Sequence, residues 1–110
     1  MKKKSLSAKK KIHKKLLINL KKPLINKIYK DFNNFVKFNL NKSNFSVAVS
    51  GGTDSLALAY LAKCYSIKKN VKLFFYHVDH GLRNESSIEA SQLKRQMAYY
   101  DIKIKFDIFF

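Results

Sequence analysis

The sequence predicts an α/β fold in which parallel strands alternate with helices. Short apolar runs bounded by turn-forming residues, which are typical of buried strands, begin at Phe45, Val71 and Ile102. Between these runs lie stretches whose apolar residues recur at helical spacing. Strands that alternate with helices pair in parallel through right-handed crossovers. We therefore expect a Rossmann-like layering, incomplete because no helix follows the last strand.

The elements follow one another closely along the chain. The first helix is amphipathic, because Leu24, Ile28, Phe32 and Phe35 fall on one face. The second strand is apolar throughout, as expected of a strand that is buried on both faces of a parallel sheet. In chain order the predicted elements are a helix over 23–39, a strand over 45–49, a helix over 53–65, a strand over 71–78, a helix over 86–99 and a strand over 102–109.

Positive charge is concentrated at the start of the chain, whose formal net charge is +16. Residues 1–22 contain ten basic side chains and no acidic one. We predict a basic, disordered tail over 1–22, followed by one domain over 23–110. Two explanations of the tail remain open. It is either an arm attracted to RNA phosphates or the product of a coding bias that favours Lys, Asn and Ile.

Composition also bears on the compartment. Lysines interrupt every apolar stretch, so we expect no membrane-spanning segment. The basic amino terminus lacks the apolar core of a secretion signal, and the expected location is the cytoplasm. The single cysteine, Cys64, cannot form an internal disulfide and is predicted to be a small buried residue or an inert thiol.

A short polar loop, Ser50-Gly51-Gly52-Thr53-Asp54-Ser55, joins the first strand to the next helix. Backbone N–H groups at a helix start lack intrahelical partners and lie at the positive end of the helix dipole. Glycines let the backbone approach a phosphate closely and adopt angles that are closed to other residues. The hydroxyls of Ser50, Thr53 and Ser55 could add donors. The loop therefore indicates a phosphate site, and a tight turn with a Ser or Asp cap is the alternative.

The acid inside this loop narrows the kind of phosphate site. Neither a G-x-x-x-x-G-K-[ST] nor a G-x-G-x-x-G pattern occurs in the chain. The carboxylate of Asp54 would repel a triphosphate unless a divalent cation lay between them. We therefore predict a nucleotide bound with Mg²⁺, with Asp54 at the metal.

The second strand ends abruptly in polar residues. Ligands of open α/β sheets collect at the carboxyl ends of strands, so we expect His77, Asp79, His80 and Arg83 to lie beside the loop. The two histidines make an unconvincing zinc pair without a cysteine cluster, and a packed or capping role explains such residues better. The planar fork of Arg83 suits a phosphate or carboxylate, although a surface arginine is the alternative.

The helix after this strand opens on residues with two readings. Ser86 and Glu89 have the S-x-x-E form of a capping box, so helix capping explains Glu89 as well as catalysis does. Glu85 stays a catalytic candidate on the preceding loop.

Two motifs carry a resemblance to a known family. SGGTDS at 50–55, after an apolar strand, resembles the pyrophosphatase loop of the PP-loop ATP pyrophosphatase family of adenylating enzymes. VDHGLRNES at 78–86 is similar to the tRNA(Ile)-lysidine synthases in that family. The resemblance implies an adenine nucleotide alpha hydrolase-like fold, with 23–110 as the amino-terminal part of the ATP-binding domain.

The resemblance also implies a reaction and its participants. ATP and Mg²⁺ would activate the wobble cytidine of tRNA(Ile) bearing a CAU anticodon, and free L-lysine would then displace AMP to give lysidine. The implied cofactor-binding residues are Ser50, Gly51, Gly52, Thr53, Asp54 and Ser55, and the implied catalytic residues are Asp54, His80 and Arg83.

Further expectations concern completeness. The chain resembles an amino-terminal fragment that is inactive alone and lacks a carboxy-terminal polypeptide. Alternatives are another PP-loop enzyme, such as a tRNA thiolase or an ammonia-using synthetase, and a non-catalytic nucleotide- or RNA-binding remnant. The thiolases of the cytidine-modifying kind bring paired cysteines, and the single Cys64 counts against them.

Overall fold

The computed structural model describes residues 6–40, 44–50, 52–79 and 86–108. The chain divides into two compact units, Met1–Ser43 and Asn44–Phe110, which are treated separately below. In chain order the elements are α1 (Leu6–Asn19), α2 (Pro23–Asn39), β1 (Ser46–Ala48), α3 (Thr53–Lys69), β2 (Phe74–Asp79), α4 (Ser86–Ala98) and β3 (Ile104–Ile108).

The first unit consists of two helices, one of which was not predicted. The prediction of disorder is wrong for residues 6–19, which form α1. Residues 1–22 contain no Gly or Pro, and Lys, Leu and Ala are strong helix formers. Leu16 and Leu20 are each only 4% exposed, so this segment also buries apolar surface. The predicted amphipathic helix is confirmed as α2, with Pro23 in its first turn.

The second unit is built on a three-stranded sheet with the strand order β1-β2-β3. Both strand pairs are parallel: Val47 is opposite Phe75, and Phe75 is opposite Ile104. Each connection passes through a helix, as the alternating pattern predicts. The α/β class and the partial Rossmann-like layering are therefore confirmed.

The helices α3 and α4 cover one face of this sheet. α3 contacts β1, whereas α4 contacts both β2 and β3. Lys63 Nζ on α3 lies 3.7 Å from Asp101 Oδ2. In addition, the rings of Tyr60 and Tyr100 meet edge to face, with centroids 5.8 Å apart. These contacts join α3 to the segment that follows α4.

The prediction that β2 is buried on both faces is wrong. Phe75 is only 4% exposed but its neighbour Phe74 is 40% exposed, because successive side chains of a strand point to opposite faces. The Nζ atom of Lys105 lies 5.1 Å from the centroid of the Phe74 ring. A cation stacked on the ring therefore partly shields it.

Most predicted boundaries differ from the observed ones by only a few residues. The largest difference is at the end of α3, which continues one turn beyond residue 65 to Lys69. Tyr65 is buried, and Asn70 ends the helix in the left-handed conformation at φ 53°. No helix among the described residues is both long and apolar enough to cross a membrane.

The free thiol on α3 offers a test of this packing. Cys64 is 0% exposed, and burial raises the pKa of its thiol, although a hydrogen bond with Tyr60 and nearby lysines oppose the shift. We expect a disulfide-exchange reagent to leave the native thiol unmodified at neutral pH and to modify it promptly in urea. Fast labelling of the native chain would contradict the packing of α3.

The same thiol predicts a pH dependence of stability. The unfolded thiol ionises near its ordinary pKa of 9.0, whereas the buried thiol stays protonated to higher pH. The contribution of Cys64 to stability is therefore complete below that pH and is lost as the pH rises through the folded pKa. Urea titrations of the wild type and Cys64→Ala across this range should diverge on the alkaline side.

Candidate functional site

The site lies where β1 ends and α3 begins, at the carboxyl edge of the parallel sheet. Ser50 follows the last buried residue of β1, Val49, which is 2% exposed. Gly52 immediately precedes α3, whose first turn contains Thr53, Asp54 and Ser55. The side chains of Thr53 and Asp54 are exposed, and that of Ser55 is half-buried.

Two hydroxyl groups organise the loop. The backbone N–H of Ser50 donates to Ser55 Oγ over 2.7 Å, which joins the first residue of the loop to the last. The N–H of Gly52 donates to Ser50 Oγ over a longer distance of 3.3 Å. Because Ser55 Oγ accepts in this arrangement, its own proton remains available to donate to a ligand.

The start of α3 has the features of an anion site. Gly52 occupies the N-cap position and supplies no side chain to cap the helix, while its carbonyl accepts from Leu56 N–H over 2.9 Å. The N–H groups of the first turn therefore have no acceptor within the helix. They lie at the positive end of the dipole of a 17-residue helix. This geometry favours a phosphate group.

The conformation of Gly52 differs from the expectation for this loop. Its φ of −73° and ψ of 163° are extended backbone angles that any residue can adopt. A Cβ atom placed there would lie 3.6 Å from Ser50 Oγ, an ordinary contact. The fold therefore does not require glycine at this position. A missing side chain matters here only if a ligand approaches the backbone closely.

His77 holds the end of β1 in place. Its Nδ1 lies 2.7 Å from the carbonyl oxygen of Val49, the residue before the loop. A carbonyl only accepts, so Nδ1 carries the proton in this bond. The N–H of Val49 donates to Tyr76 O over 2.7 Å, so both backbone groups of Val49 are bonded to β2 or its side chains.

Sequence reasoning placed His77 beside the loop and expected a packed or capping role for it. The ring also meets Phe106 edge to face, with centroids 5.6 Å apart. The signal that could have identified its partner is its position in the first polar break of an otherwise apolar strand, next to the end of β1 in the parallel register. Sequence reasoning did not identify this hydrogen bond to the loop.

The structure brings together five of the predicted site residues and leaves the others outside its description. Ser50, Gly52, Thr53, Asp54 and Ser55 cluster at the start of α3. Gly51, His80 and Arg83, together with the candidate Glu85, lie outside the described residues. Within the described part of the chain, no three His, Cys, Asp or Glu side chains are grouped to hold a metal ion.

The fold and the site define a class of protein: a parallel α/β domain with an anion-binding loop between its first strand and the following helix. Comparison with protein families narrows this class. The model of the PP-loop domain family matches residues 21–109. The chain belongs to the PP-loop domain family.

Individual proteins similar to the chain carry one name. It is 42% identical over 71 residues to the tRNA(Ile)-lysidine synthase of Rickettsia rickettsii (strain Sheila Smith), a match that covers 64% of the chain and 15% of that relative. It is 41% identical over 86 residues to the same enzyme of Rickettsia typhi (strain Wilmington), covering 72% and 19%. For Rickettsia bellii (strain OSU 85-389) the identity is 40% over 84 residues, covering 76% and 19%. The chain thus spans less than a fifth of the length of these relatives.

Proposed function

We propose that the chain binds ATP with Mg²⁺ through the loop at 50–55 and acts in tRNA modification as part of a tRNA(Ile)-lysidine synthase. The observation that carries this proposal is the uncapped start of α3, where free N–H groups and hydroxyls converge at the strand end. The family match spans this loop, and the similar proteins carry the synthase name.

The loop residues fit the pyrophosphate end of ATP. The first-turn N–H groups supply donors, and the bare backbone at Gly52 admits a phosphate oxygen to hydrogen-bond distance. Gly52 N–H is held by Ser50 Oγ at 3.3 Å, a long bond that a phosphate oxygen can replace. Ser55 can donate its hydroxyl proton while it still accepts from Ser50 N–H.

Mg²⁺ would bridge the phosphates and Asp54. The carboxylate is exposed in the first turn of α3, close to the N–H groups that would hold the phosphates. Mg²⁺ in nucleotide sites usually binds one or two carboxylates, with phosphate oxygens and waters as its remaining ligands. A single acid at the loop is therefore sufficient for this kind of site.

The proposed reaction assigns two steps to the intact enzyme. Activation attaches AMP to the C2 carbonyl oxygen of the wobble cytidine and releases pyrophosphate, which the loop holds. The amine of free lysine then attacks C2, and AMP leaves. In this proposal His80 and Arg83 order the substrate or ATP, tRNA(Ile) with a CAU anticodon and L-lysine are the partners, and the cytoplasm is the compartment.

The coverage of the relatives leads to a prediction about activity. The chain spans 15% to 19% of their length, so we propose that it contributes the ATP loop and that further polypeptide completes the site. Incubated with ATP, Mg²⁺, labelled lysine and unmodified tRNA(Ile), the purified chain should incorporate no more lysine than its Gly52→Val variant. Incorporation above that control would show that 110 residues suffice.

Replacing Asp54 tests the metal role. Asp54→Asn keeps the shape of the side chain but removes its charge, so the Mg²⁺ concentration that gives half-maximal ATP binding should rise about tenfold, equivalent to about 1.4 kcal/mol. Asp31→Asn, which removes an exposed carboxylate from α2, is the matched control. Isothermal titration at several Mg²⁺ concentrations measures both. Equal Mg²⁺ dependence in the two variants would restrict Asp54 to a favourable charge at the helix start.

A further inference from the structure

Helix α1 presents a row of lysines that the nucleotide loop does not use. Lys10, Lys11, Lys14 and Lys15 are all exposed, and we call this set the lysine face. The first acidic residue of the chain is Asp31, so no carboxylate within α1 balances these charges. α1 also ends before residue 21, where the match to the family begins.

The spacing of these lysines makes them one surface. Residues three or four apart are neighbours on a helix, so Lys10 lies beside Lys14, Lys11 lies beside Lys15, and Lys11 also lies beside Lys14. Successive members of each pair are separated by about 6 Å along the axis. Like charges at this spacing destabilise a helix, and a polyanion that binds several of them at once would remove that repulsion.

The opposite side of α1 argues against insertion into a lipid bilayer. An interfacial helix binds membranes by burying its apolar side among the acyl chains. In α1 the apolar residues Leu16 and Leu20 are already buried within the protein, each only 4% exposed. What the helix offers to a partner is therefore charge rather than apolar area.

We propose that the lysine face binds the phosphate backbone of RNA, without reading its sequence. RNA carries closely spaced phosphates along each strand, and lysines that neutralise them release condensed counterions. Each such contact steepens the dependence of affinity on salt concentration. Because the surface is separate from the loop, this inference does not rest on the proposed function.

The test compares two sets of four substitutions that change the net charge equally. The first replaces the lysine face with glutamines: Lys10→Gln, Lys11→Gln, Lys14→Gln and Lys15→Gln. The matched control removes four exposed lysines of the second unit: Lys69→Gln, Lys72→Gln, Lys94→Gln and Lys103→Gln. Fluorescence anisotropy with a labelled RNA stem-loop measures affinity against salt concentration for the wild type and both variants.

We expect the lysine-face variant to lose about 3 units of the slope of log affinity against log salt. From about 50 mM to about 200 mM salt, the wild type should therefore lose about a hundredfold more affinity than this variant. The control should keep most of the wild-type slope. Equal losses in the two variants would overturn the proposal, because net charge alone would then account for binding.

Two further measurements guard the conclusion. Circular dichroism checks that α1 remains helical, as the similar helix propensities of Lys and Gln predict. If the fourfold variant unfolds, the double variant Lys10→Gln/Lys15→Gln should lose about half as much slope, and an unchanged slope would overturn the proposal. Tighter binding to vesicles of equal phosphatidylserine and phosphatidylcholine than to RNA would also overturn it.

Discussion

Gly52→Ala is expected to weaken the binding of Mg-ATP by at least about tenfold while the protein becomes no less stable. The added methyl group would make only an ordinary contact, 3.6 Å from Ser50 Oγ, so the folded state tolerates it. Alanine at an extended position also restricts the unfolded chain, which stabilises proteins by about 0.4 to 1 kcal/mol. The same methyl group would occupy the space that a phosphate oxygen must enter.

Affinity and stability therefore change in opposite directions in this variant. Calorimetric titration with Mg-ATP gives the first quantity and urea unfolding gives the second. Asn70→Gly is the control, because it relieves the left-handed conformation at φ 53° and stabilises the far end of the same helix. Mg-ATP affinity should be unchanged in that control. Undiminished affinity in Gly52→Ala would remove the loop backbone from the nucleotide site.

His77→Leu is expected to lower the free energy of unfolding by about 1 to 3 kcal/mol and to weaken Mg-ATP binding as well. The substitution removes the donor 2.7 Å from the carbonyl of Val49, which is then left without that hydrogen bond at a position only 2% exposed. It also removes the side chain that holds β1 at the residue before the loop. Urea unfolding and calorimetry measure the two effects.

Two amide variants separate the hydrogen bond of His77 from its packing. In His77→Asn the amide N–H is as many bonds from Cβ as Nδ1 is, so it can donate to the Val49 carbonyl. In His77→Gln the amide is one bond further out. Both lose the ring contact with Phe106. We expect Asn, but not Gln, to recover most of the affinity lost in His77→Leu. Equal losses in all three variants would assign the effect to the ring contact.

The phosphate loop illustrates what local sequence can predict. A strand, two glycines, hydroxyl residues and an amphipathic helix are features of adjacent residues, and their conformations depend mainly on local sterics and backbone hydrogen bonding. The observed loop accordingly lies between β1 and α3, as predicted. The prediction erred in detail, because Gly52 adopts angles that are open to every residue.

His77 illustrates what local sequence leaves open. Its partner, Val49, is 28 residues away and becomes adjacent only because β1 and β2 pair in parallel in one particular register. A shift of that register by one residue would turn the side chain to the other face of the sheet. Which histidine nitrogen donates, and to which carbonyl, is therefore a consequence of strand pairing.

The sequence by itself determined the alternation of strands and helices, the position of the glycine loop and the excess of positive charge, because these depend on residue order and composition. Tertiary structure alone decided the exposure of Phe74, the bond from His77 to Val49 and the burial of Leu16 and Leu20 in a segment predicted to be disordered. Each of these depends on residues distant in sequence. Burial and hydrogen bonding are set by the neighbours a residue acquires on folding, and those neighbours can outweigh its local preference.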